Sequence, residues 1–172
     1  MAAAPLSLTA RALRLLAQRE HSRLELERKL QRFVPPQAQD TEDADGAADT
    51  GAENAPPEDL AAVLDRLEAK GFIQPERVAQ SVLYRRAPKL GSQRVLQELR
   101  QKGLDEAIVR QAADTLRQSE HQRAWTVWQR KFGQLASTPQ ERARQMRFLA
   151  SRGFAMEVIA KVVRGTAPTQ EE

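Results

Sequence analysis

The chain has 172 residues, of which 41% are hydrophobic but only 5% aromatic, and it contains no cysteine. Few aromatic residues and much Leu, Ala, Gln, Glu and Arg favour helices over sheets, and the lack of cysteine excludes disulfides and thiolate metal sites. No apolar run approaches the roughly 18 residues that cross a bilayer, and the first twenty residues lack a secretion-signal pattern, so we expect a cytoplasmic protein without membrane contact.

The net charge of +4 conceals a strong segregation of charge along the chain. Between Pro35 and Asp59 lie eight acidic residues and no basic one. The rest of the chain carries 27 basic against 15 acidic residues, a net charge of +12. A body this basic is attracted to polyanions, such as nucleic acid or an acidic protein groove.

Two helices are predicted before the acidic segment. Thr9 is a suitable N-cap for a first helix that runs to about Arg19. Ser22 and Glu25 have the spacing of a capping box at the start of a second helix, which Pro35 ends. The predicted buried stripes are Leu13, Leu16 and Ala17 in the first helix and Leu26, Leu30 and Phe33 in the second.

The acidic segment itself is predicted to be a disordered loop. Residues 37–57 contain alanine, acidic residues, glycine and proline but no large hydrophobic residue, so nothing there offsets the entropy of ordering. It could be an inert insertion, an acidic mimic that screens the basic body, or a segment that binds a partner. Long surface insertions cost little stability, and this favours the inert interpretation.

Four helices are predicted to follow the acidic segment. They begin near Glu58, Pro75, Ser92 and Asp105, with Ser92 as an N-cap. Gly71 and Gly103 supply the left-handed residue that commonly ends a helix. The predicted core residues are Leu60, Val63, Leu64 and Leu67, then Val78, Val82 and Leu83, then Val95, Leu96 and Leu99, and finally Ile108, Val109, Ala112 and Leu116.

Three more helices complete the chain. The seventh is predicted over about Glu120–Lys131, and the eighth starts at Thr138, where Pro139 and Glu141 complete a strong N-terminal signal. Its predicted inward residues are Ala143, Met146 and Leu149, and those of the ninth helix are Val158, Ile159, Val162 and Val163. Trp125, Trp128 and Phe132 could stack on bases, as in single-strand binders, but their helical spacing favours packing in a core.

A shift of 50 residues superimposes two helix pairs. It aligns Leu99, Gly103, Leu104, Ile108, Val109 and Ala112 with Leu149, Gly153, Phe154, Val158, Ile159 and Val162. The first helices fit the same plan once the acidic segment is treated as an insertion. We therefore predict an all-α protein of three tandem three-helix repeats, residues 8–72, 73–119 and 120–165, that form an elongated, curved body.

Five stretches in this order resemble the RecX family of bacterial recombination regulators. They are Ala12–Leu30, Val63–Ile73, Arg85–Gly103, Arg130–Gly133 and Phe148–Val163. The resemblance implies three three-helix repeats and a non-enzymatic protein that binds the RecA recombinase and its DNA filament. Restraint of the filament would inhibit strand exchange, ATP hydrolysis and coprotease activity, and so modulate DNA repair and the SOS response.

The sequence departs from the family pattern in two places. The acidic insertion is unusually long, and the usual glycine-aromatic-glycine turn before the fifth helix is here Lys89-Leu90-Gly91. The family also implies direct binding of single- and double-stranded DNA by some members. We expect a monomer without cofactor or metal.

Basic residues of the second and third repeats are the candidate binding set. Between His121 and Gly165 there are nine basic residues and only two acidic ones, too few for pairing within helices. The alternative to a binding surface is an ordinary solvent-exposed helix face, which is what most runs of charged residues form. The predicted filament- or DNA-binding residues are Arg85, Arg86, Lys89, Arg94, Arg100, Lys102, Arg123, Arg130, Lys131, Arg142, Arg144, Arg147 and Arg152.

Catalysis and metal binding have no support in the sequence. His21 and His121 lack partners at ligand spacing, which favours surface or cap-adjacent positions. Ser22, Ser92 and Thr138 are explained as helix caps, without a nucleophile elbow or a phosphate-binding loop. The alternative functions are a general basic DNA-binding protein without filament preference and a structural scaffold, although a scaffold would not need so uneven a charge.

Deleting residues 38–54 is expected to leave the helical fold intact, because the segment has no side chains that could join a core. Circular dichroism would measure helicity and thermal stability of the deletion variant. A large loss of thermal stability would show that the acidic segment packs against the rest of the protein.

Overall fold

A computed structural model describes residues 6–34 and 58–168, and all regular secondary structure in these ranges is helical. The helices are α1 (Leu8–Leu16), α2 (Arg23–Leu30), α3 (Leu60–Ala69), α4 (Pro75–Arg86), α5 (Ser92–Gln101), α6 (Glu106–Lys131), α7 (Pro139–Ser151) and α8 (Met156–Val163). A short 3-10 helix, Gln31–Phe33, extends α2. The all-α prediction is confirmed, whereas the predicted loop at 37–57 lies outside the described residues.

The buried hydrophobic side chains form three clusters within the described ranges. The first is built from α1, α2 and α3, the second from α4, α5 and the first half of α6, and the third from the second half of α6, α7 and α8. The chain divides into two compact units, one ending at Gln74 and one starting at Pro75. The second and third clusters belong to the same unit, because α6 contributes to both.

The 50-residue correspondence is visible in the structure. Leu99 and Leu149 are both fully buried, and Gly103 and Gly153 both have a positive φ, of 73° and 82°. The amide that follows each glycine donates to the carbonyl of the corresponding leucine, at 3.3 and 3.4 Å. The same left-handed helix end therefore closes α5 and α7.

The predicted start and buried face of the first helix were wrong. The N-cap is Ser7, whose hydroxyl accepts a hydrogen bond from the Ala10 amide at 3.1 Å. Thr9 instead donates to the Glu58 carboxylate, through its amide at 3.1 Å and its hydroxyl at 2.9 Å. The earlier start rotates the buried face, so Leu13 is 37% exposed. The residues buried in its place are Leu8 and Ala12.

The second helix begins as predicted but buries less than predicted. The Ser22 hydroxyl and the Glu25 carboxylate form both bonds of the capping box. Phe33 is 39% exposed rather than part of the core, and the Arg11 guanidinium lies 4.0 Å from its ring centroid. His21 lies beside the Ser22 cap, one of the two expected positions, and is buried there with 1% exposure.

Two predictions for the Pro75 unit were also wrong. The predicted sixth and seventh helices are one helix, α6, because residues 117–120 contain no glycine or proline to stop it. Ser92 is the first residue of α5 rather than its N-cap, a position that Gly91 occupies. The remaining helix starts, including the Thr138 cap of α7, agree with the prediction.

A buried carboxylate from the middle of α6 caps two other helices. Glu120 is 6% exposed, and its Oε1 accepts hydrogen bonds from the amides of Ser92 at 3.1 Å and Ala155 at 3.3 Å. These amides lie at the N-termini of α5 and α8, neither of which has a side-chain cap of its own. Amides at a helix N-terminus lack partners within the helix, and the helix dipole favours an anion there. Glu120 therefore ties α5 and α8 to α6.

Arg123, three residues further along α6, holds the turn between α4 and α5. Its guanidinium donates to the carbonyls of Ala87 at 3.0 Å and Leu90 at 2.6 Å, to the Ser92 hydroxyl at 3.2 Å, and to a carbonyl of α6 itself at 2.9 Å. Burial lowers the pKa of Arg123 below its ordinary value, and the Glu120 carboxylate opposes that shift. We call these two side chains and the groups they bind the Glu120–Arg123 network.

The Glu58 contact predicts a pH-dependent stability of the first unit. Desolvation raises the pKa of Glu58, but hydrogen bonds from Thr9 outweigh it, so the pKa lies below its ordinary value. A depressed pKa stabilises the folded state above the unfolded pKa of about 4.3 and loses this effect as the pH falls. Glu58→Gln is expected to cost about 1 kcal/mol at pH 7 and less near pH 3.

Amide hydrogen exchange in α1 would measure this cost, because local opening exposes those amides. Asp65→Asn is the matched control, since Asp65 is exposed on α3 and pairs with Arg23 of α2. A Glu58→Gln penalty that stayed the same from pH 7 to pH 3 would contradict the assigned role of the carboxylate.

Removal of the Arg123 guanidinium is expected to destabilise the Pro75 unit. Arg123→Met keeps the aliphatic stem but leaves carbonyls of the α4–α5 turn without their donor, at a cost of about 2 kcal/mol. Arg117→Met is the matched control on the same helix, where the guanidinium is exposed and pairs only with Asp114. Urea denaturation followed by tryptophan fluorescence would compare them; equal losses would refute a special role for Arg123.

Candidate polyanion interface

Two of the thirteen predicted contact residues are engaged inside the protein, Lys102 as a buried residue and Arg123 as a partly buried one. Arg123 uses its guanidinium on internal acceptors. Lys102 is only 9% exposed at the C-cap of α5. A surface contact needs an accessible charge, so we remove both residues from the candidate interface.

Three other predicted residues are exposed but already have partners. Arg86 pairs with Glu98 at 2.9 Å, and Arg100 pairs with Glu106 at 3.1 Å. Exposed pairs of this kind contribute little energy, yet they reduce the local excess of positive charge. The Arg85 side chain folds back on α4, where its Nε donates to the Ser81 carbonyl at 3.1 Å. The solvated-face interpretation fits this part of α4 and α5 best.

The third cluster carries exposed cations without acidic partners in the described ranges. Arg144 and Arg147 lie one turn apart on α7 and share a face, since three residues bring a helix back to nearly the same side. Arg142 lies on a different side of α7, about 200° from Arg144. Arg130 and Lys131 are exposed at the end of α6. The nearest acidic residue in sequence, Glu141, accepts a hydrogen bond from the Ser137 amide at 2.8 Å and so belongs to the α7 start.

The turn before α5 and the turn after α7 meet backbone to backbone. The Gly91 amide donates to the Arg152 carbonyl at 2.9 Å, and the Gln93 amide donates to the Gly153 carbonyl at 3.2 Å. A Cβ on Gly91 would lie 2.2 Å from the Gly153 carbonyl, so only glycine permits this approach. We call this contact, residues 87–92 against residues 152–155, the junction.

Three of the predicted cations surround the junction. The Arg152 guanidinium donates to the Lys89 carbonyl at 3.2 Å and lies 4.7 Å from the ring centroid of Phe148. Arg94 packs on the other glycine of the junction, because a Cβ on Gly153 would lie 2.5 Å from the Arg94 Cγ. The fold therefore brings together Lys89, Arg94 and Arg152, from segments about sixty residues apart.

The aromatic residues of the third cluster serve the core, as their spacing favours. Trp128 is 3% exposed, and its indole N–H donates to Gln145 at 2.9 Å. Its ring centroid is 5.0 Å from that of Trp125, and Phe132 meets Phe148 edge to face at 5.3 Å. The indole N–H of Trp128 therefore has its hydrogen-bond partner, and the rings pack against one another. We leave Trp125, Trp128 and Phe132 out of the candidate interface.

Other kinds of site have no counterpart in the part of the chain that the structure describes. No group of three or more His, Cys, Asp or Glu residues is placed to hold a metal ion within residues 6–34 and 58–168. No helix in those ranges combines the length and the hydrophobicity needed to span a bilayer. The described surface is distinguished by its cations.

Glu120, Gly91 and Gly153 organise the interface but were missed as functional residues in the sequence. A signal for Glu120 was present: it falls in register with the buried positions Leu116 and Ala124, four residues away on either side. A carboxylate at a buried register needs partners within the protein. Its partners come from two distant turns, so the sequence pattern alone does not identify them.

Comparisons with known proteins agree on one family. The sequence profiles of the second and third three-helix domains of RecX proteins match residues 76–112 and 118–163. The regulatory protein RecX of Leptothrix cholodnii is 43% identical over 92% of this chain and 88% of its own length. The regulatory protein RecX of Herminiimonas arsenicoxydans is 39% identical over 99% of this chain and all of its own length.

A solved structure shows the same fold at low sequence identity. The crystal structure of RecX from Lactobacillus salivarius matches 92% of this chain and 94% of its own chain, with a TM-score of 0.63 and 16% identity. Identity that low supports the fold alone. The relatives from Leptothrix cholodnii and Herminiimonas arsenicoxydans are similar enough, over nearly the whole chain, to show the family. The chain therefore belongs to the RecX family of regulatory proteins.

Proposed function

We propose that this protein regulates the RecA recombinase by binding RecA and its nucleoprotein filament, without catalysis of its own. Bound protein inhibits the recombinase, ATPase and coprotease activities together, and so modulates DNA repair and the SOS response. The chain is organised for this as three three-helix repeats, residues 8–72, 73–119 and 120–165, of which the second and third provide the contact surface.

The supporting observation is the set of cations that α6, α7 and the junction expose. Within the described ranges the eight cations named below have no ion-pair partner. Two acidic residues of the region, Glu120 and Glu141, are bonded to backbone amides, and Glu157 is exposed in the first turn of α8. A filament of protein and DNA presents phosphates in a regular array, which attracts such a surface over several ångströms. The proposed contact residues are Lys89, Arg94, Arg130, Lys131, Arg142, Arg144, Arg147 and Arg152.

The direct experiment measures the DNA-dependent ATPase of RecA filaments. Substoichiometric protein is expected to inhibit it at low salt, since regulation through filament growth or disassembly needs fewer regulators than RecA subunits. Ordinary DNA affinity without inhibition would instead favour a general basic DNA-binding protein, which the same cations would also suit.

Charge reversal on α7 tests the proposed surface. Arg144→Glu with Arg147→Glu is expected to weaken inhibition of the RecA ATPase roughly tenfold, about 1.4 kcal/mol, because two cations on one face are replaced by repelling anions. Adding Arg142→Glu is expected to cost less than the first two changes if the contact is made by the Arg144 face.

The matched control reverses two exposed arginines on the first half of α6, Arg110 and Arg117, which changes the net charge equally. Circular dichroism would establish that both variants keep their helices. Equal inhibition by the α7 variant and the wild type would exclude α7 from the contact surface. Equal loss of inhibition in the α7 and α6 variants would show that the effect depends only on net charge.

A further inference from the structure

We propose that Lys89, Arg94 and Arg152 form one phosphate-binding site at the junction, and that its ligand is the phosphate backbone of nucleic acid. The site is composite, because Lys89 and Arg94 come from the α4–α5 turn and α5 of the second repeat, whereas Arg152 is the C-cap of α7 in the third. This inference rests on the proposed function and deepens it, since it names which cations contact nucleic acid.

The three side chains are placed together by backbone contacts rather than by chance proximity. Arg152 donates to the Lys89 carbonyl, and the Arg94 stem packs on Gly153, the residue that follows Arg152. Two further backbone hydrogen bonds, from the amides of Gly91 and Gln93, fix the two turns against each other. The fold therefore fixes the backbone positions from which these three side chains extend.

None of the three junction cations has an ion pair in the described residues. The exposed Glu157 lies in the first turn of α8. Glu120, whose carboxylate is hydrogen-bonded at these turns, is buried and accepts from the amides of Ser92 and Ala155. It therefore faces the helix ends rather than the three cations. Lys89 and Arg94 are exposed and have no ion pair in the described ranges.

Arg152 is the member whose geometry favours a phosphate. One guanidinium nitrogen holds the Lys89 carbonyl, and the group lies near the Phe148 ring, so its plane is restricted before a ligand arrives. A guanidinium has five donors in a planar fork that suits two phosphate oxygens, and the Lys89 bond occupies only one of them. A restricted fork loses less freedom on binding than a mobile lysine.

The site should depend on the Glu120–Arg123 network, although neither residue contacts the ligand. Glu120 holds the first residue of α5 and the N-cap of α8, and Arg123 holds the turn that contains Lys89. Loss of this network would let the two turns separate with all three surface charges still present. Both are therefore positioning residues.

Two variants separate charge from position. The triple variant Lys89→Gln, Arg94→Gln and Arg152→Gln removes the charges and keeps the two backbone hydrogen bonds that join the turns. Gly91→Ala keeps every charge but inserts a methyl group where the Gly153 backbone lies 2.2 Å away. The φ of Gly91 is −73°, which alanine adopts without strain, so only the close approach is affected.

The experiment measures binding of a thirty-nucleotide oligothymidine at several salt concentrations, with inhibition of the RecA ATPase in parallel. For single strands the slope of log affinity against log salt changes by about 0.7 for each phosphate contact, so the triple variant should lose about 2 from the slope. Gly91→Ala should lose at least 1 with its net charge unchanged. The control, Arg110→Gln with Arg117→Gln, should keep the wild-type slope.

Three results would decide the matter. A triple variant with the wild-type slope overturns the site. A triple variant that loses RecA inhibition but binds oligothymidine normally also overturns it, because the patch would then contact an acidic protein surface. If the wild type fails to inhibit RecA while the triple variant loses slope, the phosphate site is supported and only the proposed function fails. Where Gly91→Ala does not fold, Arg123→Lys replaces it as the positional variant.

Discussion

The buried Glu120 carboxylate is the interaction on which the Pro75 unit depends. One of its oxygens accepts hydrogen bonds from amides at the starts of α5 and α8. These bonds join α6, which contributes to the second and third hydrophobic clusters, to one helix of the second repeat and one of the third. Arg123 adds the α4–α5 turn to the same helix. Burial of a carboxyl group costs desolvation, which the two hydrogen bonds and the two helix N-termini offset. The same contacts place the cations of the junction.

The sequence was sufficient to predict most of the helices and most of the buried core residues. Local rules are strong at the helix ends, where the Ser22 capping box and the glycine stops at Gly103 and Gly153 formed as predicted. The hydrophobic register also held in α3, where the four predicted positions are all buried. These features depend on neighbours within one turn of helix, which a sequence displays directly.

The errors came from contacts between distant segments. The Glu58 carboxylate engages Thr9 and leaves the cap of α1 to Ser7. The Gly153 backbone occupies the place where a cap side chain before α5 would project, so Gly91 is the cap and Glu120 reaches in from α6. The candidate interface changed for the same reason: charge counting found the basic residues but could not distinguish a guanidinium that faces solvent from one, like Arg123, that holds the fold together.

The second and third repeats share one compact unit, and we propose that its cations contact the filament. Hydrogen–deuterium exchange of the protein, free and bound to RecA filaments, tests this most directly, because it reports every contacting segment without a mutation. We expect new protection at the α4–α5 turn, along α7 and at the α7–α8 turn, with little change in α1 to α3. Protection confined to α1, α2 and α3 would contradict it.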